Sequence, residues 1–188
     1  MTKIPVEVSA RHCHLTQRDL EKLFSKGYKL KPFKKISQLG QFAAQEEIKI
    51  LGPKGELKIR IIGPVRPKTQ IELAITDCYK LGLKTVLRSS GLVKSTPGAI
   101  LIGPKKRIKI KNGVIVALRH LHLAPVEAKS LKLKNGQLVS VKIAGSRGLI
   151  FNNVIIRVAN GYRKSFQIDT DEANACGWMP GMKGELIK

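Results

Sequence analysis

"VIVALRHLHLAPVEAKSL", residues 114–131, repeats the pattern of "VEVSARHCHLTQRDLEKL", residues 6–23. The two align without a gap, so that Arg11, His12, His14, Leu15 and Leu23 fall on Arg119, His120, His122, Leu123 and Leu131. In each copy an alternating stretch predicts a strand, Arg-His-x-His continues it, and a short helical pattern follows. A repeated strand–helix unit predicts two related units in one chain.

The remaining segments fill those units. "EIKIL", "LKIRIIG", "AILIG", "RIKIK", "LVSVKIAG", "GLIFNNVIIRV" and "KSFQIDT" alternate apolar and polar residues, and they stop at Gly, Pro or Asn in "GPKG", "GPVRP", "GPKK", "KNG" and "ANG". Helical patterns are few and short: "TQRDLEKLFSKG" with Thr16 as N-cap, "TDCYKLGL" after Thr76, and "APVEAKSL" with Pro125 in its first turn. The expected fold is mainly β, two small antiparallel β-barrels with short capping helices.

Composition narrows the class. The 188 residues are 43% hydrophobic, enough to fill a core. No apolar run approaches a membrane span, and "MTKIPVEVSARHCH" has no signal-peptide apolar region, so a cytoplasmic protein with no membrane partner is expected. Cys13, Cys78 and Cys176 are odd in number and widely spaced, which argues for thiols over a disulfide framework. The net charge of +22 points to an anionic ligand, either nucleic acid or a cofactor with several phosphates. Aromatic residues are only 5% of the chain, too few for the stacking platforms that single-stranded nucleic acid prefers, so a basic nucleic-acid-binding barrel is the weaker reading.

All four histidines lie in the two tetrapeptides. Residues i and i+2 of a strand share a face, so His12 projects with His14 and His120 with His122, while Cys13 points away. Paired imidazoles are half of a zinc site, which takes three or four ligands. Glu72, between Ile71 and Leu73 in "TQIELAITD", is the best acidic partner. It is either a ligand or a solvent-facing carboxylate on an edge strand. Arg66, bracketed by Pro64 and Pro67, is either a guanidinium held for phosphate or carboxylate, or part of a rigid surface turn. Residues 88–91, "RSSG", could offer hydroxyls and free amides to an anion. Arg11 and Arg119 point away from the histidines and are assigned to structure.

In order along the chain, "VEVSARHCHL", "SQLGQFAAQEE", "GPKG", "RIIGPVRPKTQIELAITD", "RSSG", "GVIVALRHLHL", "VSVKIAGSRGL" and "DTDEANA" resemble the PduL-type phosphotransacylases, also called phosphate propanoyltransferases. The resemblance implies transfer of a short acyl group between coenzyme A and inorganic phosphate, with acyl-CoA and phosphate as partners. It implies two discontinuous barrels, one from residues 1–9 and 118–188 and the other from 10–117, and a two-metal centre. Carried over by position, one zinc would sit on His12, His14 and Glu72. A second would sit on His120, His122 and a third histidine, whose place is taken here by Gln167. An amide oxygen is a poorer zinc ligand than imidazole, which leaves one or two ions, with Asp169 or Cys176 as possible recruits. Arg66 matches the arginine that holds phosphate, and Ser9, Arg60 and Asn174 match positions that contact coenzyme A. "DTDEANA" is read as a barrel segment whose Asn174 faces the cofactor. Gln167 also motivates an alternative, a non-catalytic module that binds coenzyme A or another anion. A homodimer is expected on the base rate for oligomers.

Overall fold

The computed structural model describes residues 2–187. The first strands are β1 (Lys3–Val8) and β2 (His12–His14), followed by helix α1 (Gln17–Leu23). Then come β3 (Pro32–Lys35), β4 (Phe42–Leu51), β5 (Glu56–Gly63), β6 (Gln70–Glu72) and helix α2 (Ile75–Leu81). After these follow β7 (Leu87–Arg88), β8 (Ala99–Ile102), β9 (Arg107–Ile110), β10 (Val114–Ala117), β11 (His120–Leu123) and helix α3 (Pro125–Ser130). The chain ends with β12 (Leu138–Ile143), β13 (Leu149–Val158), β14 (Ser165–Ile168), helix α4 (Thr170–Cys176) and β15 (Lys183–Ile187). The protein is mainly β, and among the described residues no helix is long and apolar enough to cross a membrane.

The chain divides into two compact units, Met1–Ser9 with Leu118–Lys188, and Ala10–Ala117. Residues 1 and 188 lie outside the described residues. In the first unit β1-β14-β11-β13-β12-β15 closes into a barrel around Ile4, Leu121, Val141, Val154, Ile156 and Phe166. In the second, a nine-stranded sheet runs β7-β10-β6-β2-β5-β4-β8-β9, with β3 added on β4, around Leu15, Leu20, Ile50, Ile59, Ile61 and Leu101. Most pairings are antiparallel, but β1·β14 and β11·β13 in the barrel are parallel, as are β2·β5, β6·β10 and β7·β10 in the sheet.

The repeat explains why the units are discontinuous. The chain changes unit after Ser9 and again after Ala117, and these are aligned positions of the two copies. Each copy therefore gives its leading strand to one unit and its histidine strand to the other. β1 pairs with β14 while β2 pairs with β6, and β10 pairs with β6 while β11 pairs with β14.

The short helices form where local chemistry predicts. Thr16 Oγ1 accepts from the Asp19 amide at 3.1 Å to start α1, and Pro125 opens α3. α2 begins at Ile75, just before the Thr76 signal, because Asp77 caps it by accepting from the Ala74 amide. The reading of "DTDEANA" as a barrel segment is overturned, since residues 170–176 form α4. Asp169 and Glu172 make a reciprocal capping box there, a Asp-x-x-Glu signal that was present in the sequence.

The paired "GPK" hairpins have a packing reason. Lys54 donates its amide to Leu81 O at the end of α2, and Lys105 donates to Leu23 O at the end of α1. A Cβ on Gly52 would lie 2.3 Å from Leu81 O, and one on Gly103 2.6 Å from Leu23 O. Gly52→Ala is therefore expected to destabilise by about 1–3 kcal/mol, as overpacking against backbone does, and to lower the urea midpoint without changing the slope.

Candidate metal centre

β2 lies between β5 and β6, and its register sets His12 directly opposite Glu72 and His14 opposite Gln70. His12 Nδ1 is 2.9 Å from Ala10 O, and His14 Nδ1 is 3.1 Å from Ile62 O. A carbonyl can only accept, so both Nδ1 atoms carry a hydrogen, and Nε2 is the atom each ring, when neutral, offers to a cation. Burial pushes the His14 pKa down to about 3, helped by the charges of His12 and Arg66, so this imidazole is neutral at ordinary pH.

Glu72 is only 8% exposed, which removes the reading as a solvent-facing edge carboxylate. Ser90 Oγ donates to its Oε1 at 2.7 Å and Gln70 Nε2 does so at 2.6 Å. The other oxygen, Oε2, stands 3.7 Å from His12 Nε2, too far for a hydrogen bond. Neighbouring ligands on a tetrahedral zinc are separated by about 3.3 Å, given bonds of roughly 2.0–2.1 Å. Ligand atoms of His12, His14 and Glu72 all lie within 4.8 Å of one another, so this donor set suits a divalent cation with only small side-chain adjustment. Cys13 belongs to the opposite face, fully buried in the core, where desolvation keeps its thiol protonated.

Gln70 and Ser90 escape sequence reasoning. "RSSG" could offer hydroxyls and amides to an anion by sequence, but Ser90 donates to Glu72, and the Gly91 amide donates to Gln70 Oε1 at 2.7 Å. That segment orients a carboxylate and its Gly91 amide is not free for an anion. The Gln-x-Glu spacing in "QIE" puts both residues on one strand face and was the available signal.

Arg66 follows β5 and donates its amide to Leu15 O at 2.8 Å, which ties it to the end of the histidine strand. Its Nη2 donates to Gln41 Oε1 at 3.1 Å, and its charge is felt by His14. Arg60 pairs in register with His12. Its guanidinium donates to Ala44 O at 2.7 Å, pairs with Glu47 and lies over the Phe33 ring at 5.2 Å, so it is a fixed cation. Ser9 donates its amide to Ile168 O, immediately before the Asp169 cap of α4. Asn174 is an exposed residue of that helix.

The barrel repeats the histidine geometry. His120 and His122 are each 8% exposed, with ring centroids 4.5 Å apart, and Tyr162 covers His122 at 4.0 Å. His120 Nδ1 is 2.8 Å from Leu118 O, the aligned counterpart of Ala10 O. Gln167 stands to His120 in register as Glu72 stands to His12. Asp169 and Cys176 are committed elsewhere, the first as a helix cap and the second in the barrel core.

The arginines of the two tetrapeptides also match. Arg11 Nε donates to Asp77 Oδ1 at 3.0 Å, and Arg119 Nε lies 2.7 Å from Glu172 Oε1. Each grips the acid that caps the helix following the strand opposite the histidines, and that fixes the helix on its unit.

A profile of phosphate propanoyltransferases matches residues 5–179. The chain belongs to the phosphate propanoyltransferase family. It is 48% identical over 184 residues to a phosphate propanoyltransferase of Leptotrichia buccalis, covering 97% of this chain and 87% of the relative. It is 47% identical over 176 residues to one of Salmonella typhimurium (93% and 83%), and 42% identical over 188 residues to one of Listeria monocytogenes (100% and 88%). The phosphate propanoyltransferases are enzymes, so the His12–His14–Glu72 cluster stands in an enzyme.

Proposed function

We propose that this chain interconverts a short acyl-CoA and inorganic phosphate with an acyl phosphate and free coenzyme A. A phosphate oxygen attacks the thioester carbonyl, the C–S bond breaks, and the sulfur leaves with the electron pair as the coenzyme A thiolate. His12, His14 and Glu72 would hold a divalent cation, best zinc by their donor chemistry. When bound, that ion supplies Lewis acidity that stabilises the leaving sulfur.

The protein's own groups then have separate tasks. Arg66 holds and orients phosphate through its fork of N–H donors, with Gln41 steadying one arm. Gln70 and Ser90 keep Glu72 turned toward His12. Ser9, Arg60 and Asn174 are proposed contacts of coenzyme A, whose phosphates the net charge of +22 attracts. His120 and His122 are proposed as a second pair of metal ligands. The observation that carries the reading is the oriented triad of His12, His14 and Glu72, with the charge of Arg66 acting on one of its members.

The test is to incubate the purified chain with acetyl- or propanoyl-CoA and phosphate, after chelation and again with added zinc. Zinc-dependent release of free thiol matched by acyl phosphate is the expected result. Binding of coenzyme A without turnover at any zinc level would favour the second reading, a non-catalytic binding module, which Gln167 motivates. Absence of both would overturn the proposal.

A further inference from the structure

Two rows of side chains run across corresponding strands of the two units. In the sheet the row is Ile115, Glu72, His12 and Arg60, on β10, β6, β2 and β5. In the barrel it is Glu7, Gln167, His120 and Ile155, on β1, β14, β11 and β13. Glu7 aligns with Ile115 in the sequence repeat, and Gln167 faces His120 as Glu72 faces His12. Each row holds one carboxylate. In the barrel that carboxylate stands one strand further from the histidine, with an amide between.

The hydrogen bonds fix that amide. Gln167 Nε2 donates to Glu7 Oε2 at 2.5 Å and to Ser165 Oγ at 2.9 Å, and Ser165 Oγ donates onward to Arg163 O at 3.3 Å. The Ser165 hydroxyl accepts from Gln167 and donates to Arg163 O. An ionised carboxylate can only accept as well, and a flipped amide would set its oxygen against two acceptors. Both amide hydrogens are therefore committed, and Oε1 is the lone-pair atom the side chain retains for a cation. Glu7 also restores the unit of negative charge that a neutral glutamine removes relative to Glu72.

We propose that Glu7 is a positioning residue that makes Gln167 a metal ligand, so that His120, His122 and the Gln167 carbonyl oxygen form a second, weaker divalent-cation site on the barrel. This rests on the proposed role of His120 and His122 as metal ligands. Orienting carboxylates of this kind change metal affinity by roughly 10–100-fold.

The experiment titrates the metal-free full-length chain with Zn²⁺ by calorimetry, and with Co²⁺ by visible absorption, which reports ligand geometry. Wild type is expected to show a tight class, lost in His12→Ala, and a weaker class, lost in His120→Ala. Glu7→Ala is expected to weaken the second class on the order of 10–100-fold and alter its Co²⁺ spectrum, leaving the tight class intact as proof of folding. Gln167→His should tighten the second class. The inference is overturned if the weaker class is absent in wild type, survives His120→Ala, or is unmoved by Glu7→Ala. It is also overturned if Glu7→Ala removes both classes. Loss of the tight class in wild type would instead overturn the proposed metal-dependent function, so the two failures are distinguishable.

Discussion

Replacing His12 with alanine is expected to lower the rate of acyl phosphate formation on the order of 10³-fold, because the proposed cation, and with it a Lewis-acid contribution of several kcal/mol, would be lost. Glu72→Gln tests the same site without changing its shape. The amide keeps the volume but removes the charge, and it can no longer accept from both Gln70 and Ser90 while facing His12 with a carboxylate oxygen. Zinc affinity is expected to fall together with turnover. Ser90→Ala removes one orienting donor and should cost only about 10–100-fold in metal affinity. A purely structural cluster gives a different pattern, in which Glu72→Gln lowers the unfolding midpoint and leaves zinc binding unchanged. Metal content and urea denaturation measured on the same preparations separate these outcomes.

The repeat made much of this legible in advance. Alternation placed His12 with His14 and buried Cys13 behind them, because the strand period of two leaves no other arrangement. The long run "GVIVALRHLHL" concealed a break, however, for Val114–Ala117 and His120–Leu123 belong to different units. Nothing in hydrophobic period marks where a chain leaves one sheet for another. Helix α4 is not among the expected helices because "DTDEANA" reads as a barrel segment, whereas Asp169 and Glu172 cap a helix there.

The orienting residues were harder to see. Glu72 could be singled out as a lone acid in an apolar strand, but Gln70, Ser90 and Gln41 act through contacts 18 to 25 residues distant or through register, which one sequence does not display. Arg60 shows the converse. Its place in the site is what the resemblance implies, whereas its commitment to Glu47 and Ala44 O lies at a register shift in the β4·β5 pairing between Ala43 and Glu47.

Arg66 gives the second large effect. Arg66→Ala is expected to reduce turnover with phosphate by about 10²–10³-fold, the usual cost of removing a donor aimed at developing or transferred charge. The loss should appear in the Michaelis constant for phosphate and in kcat, while the constant for acyl-CoA stays near its wild-type value. Arg66→Lys restores the charge but not the planar fork, so recovery should be partial. Gln41→Ala frees one arm of the guanidinium without removing it and should give a smaller loss of the same kind. If Arg66 were only part of a rigid turn between Pro64 and Pro67, Arg66→Lys would behave as wild type, and any defect of the alanine variant would affect both substrates and the unfolding midpoint alike. Zinc content provides the internal control, since the ligand atoms of His12, His14 and Glu72 need no help from Arg66 to converge. An arginine that acts on phosphate must therefore lose phosphate kinetics while the cation stays in place, and that separation is what distinguishes it from every residue of the triad.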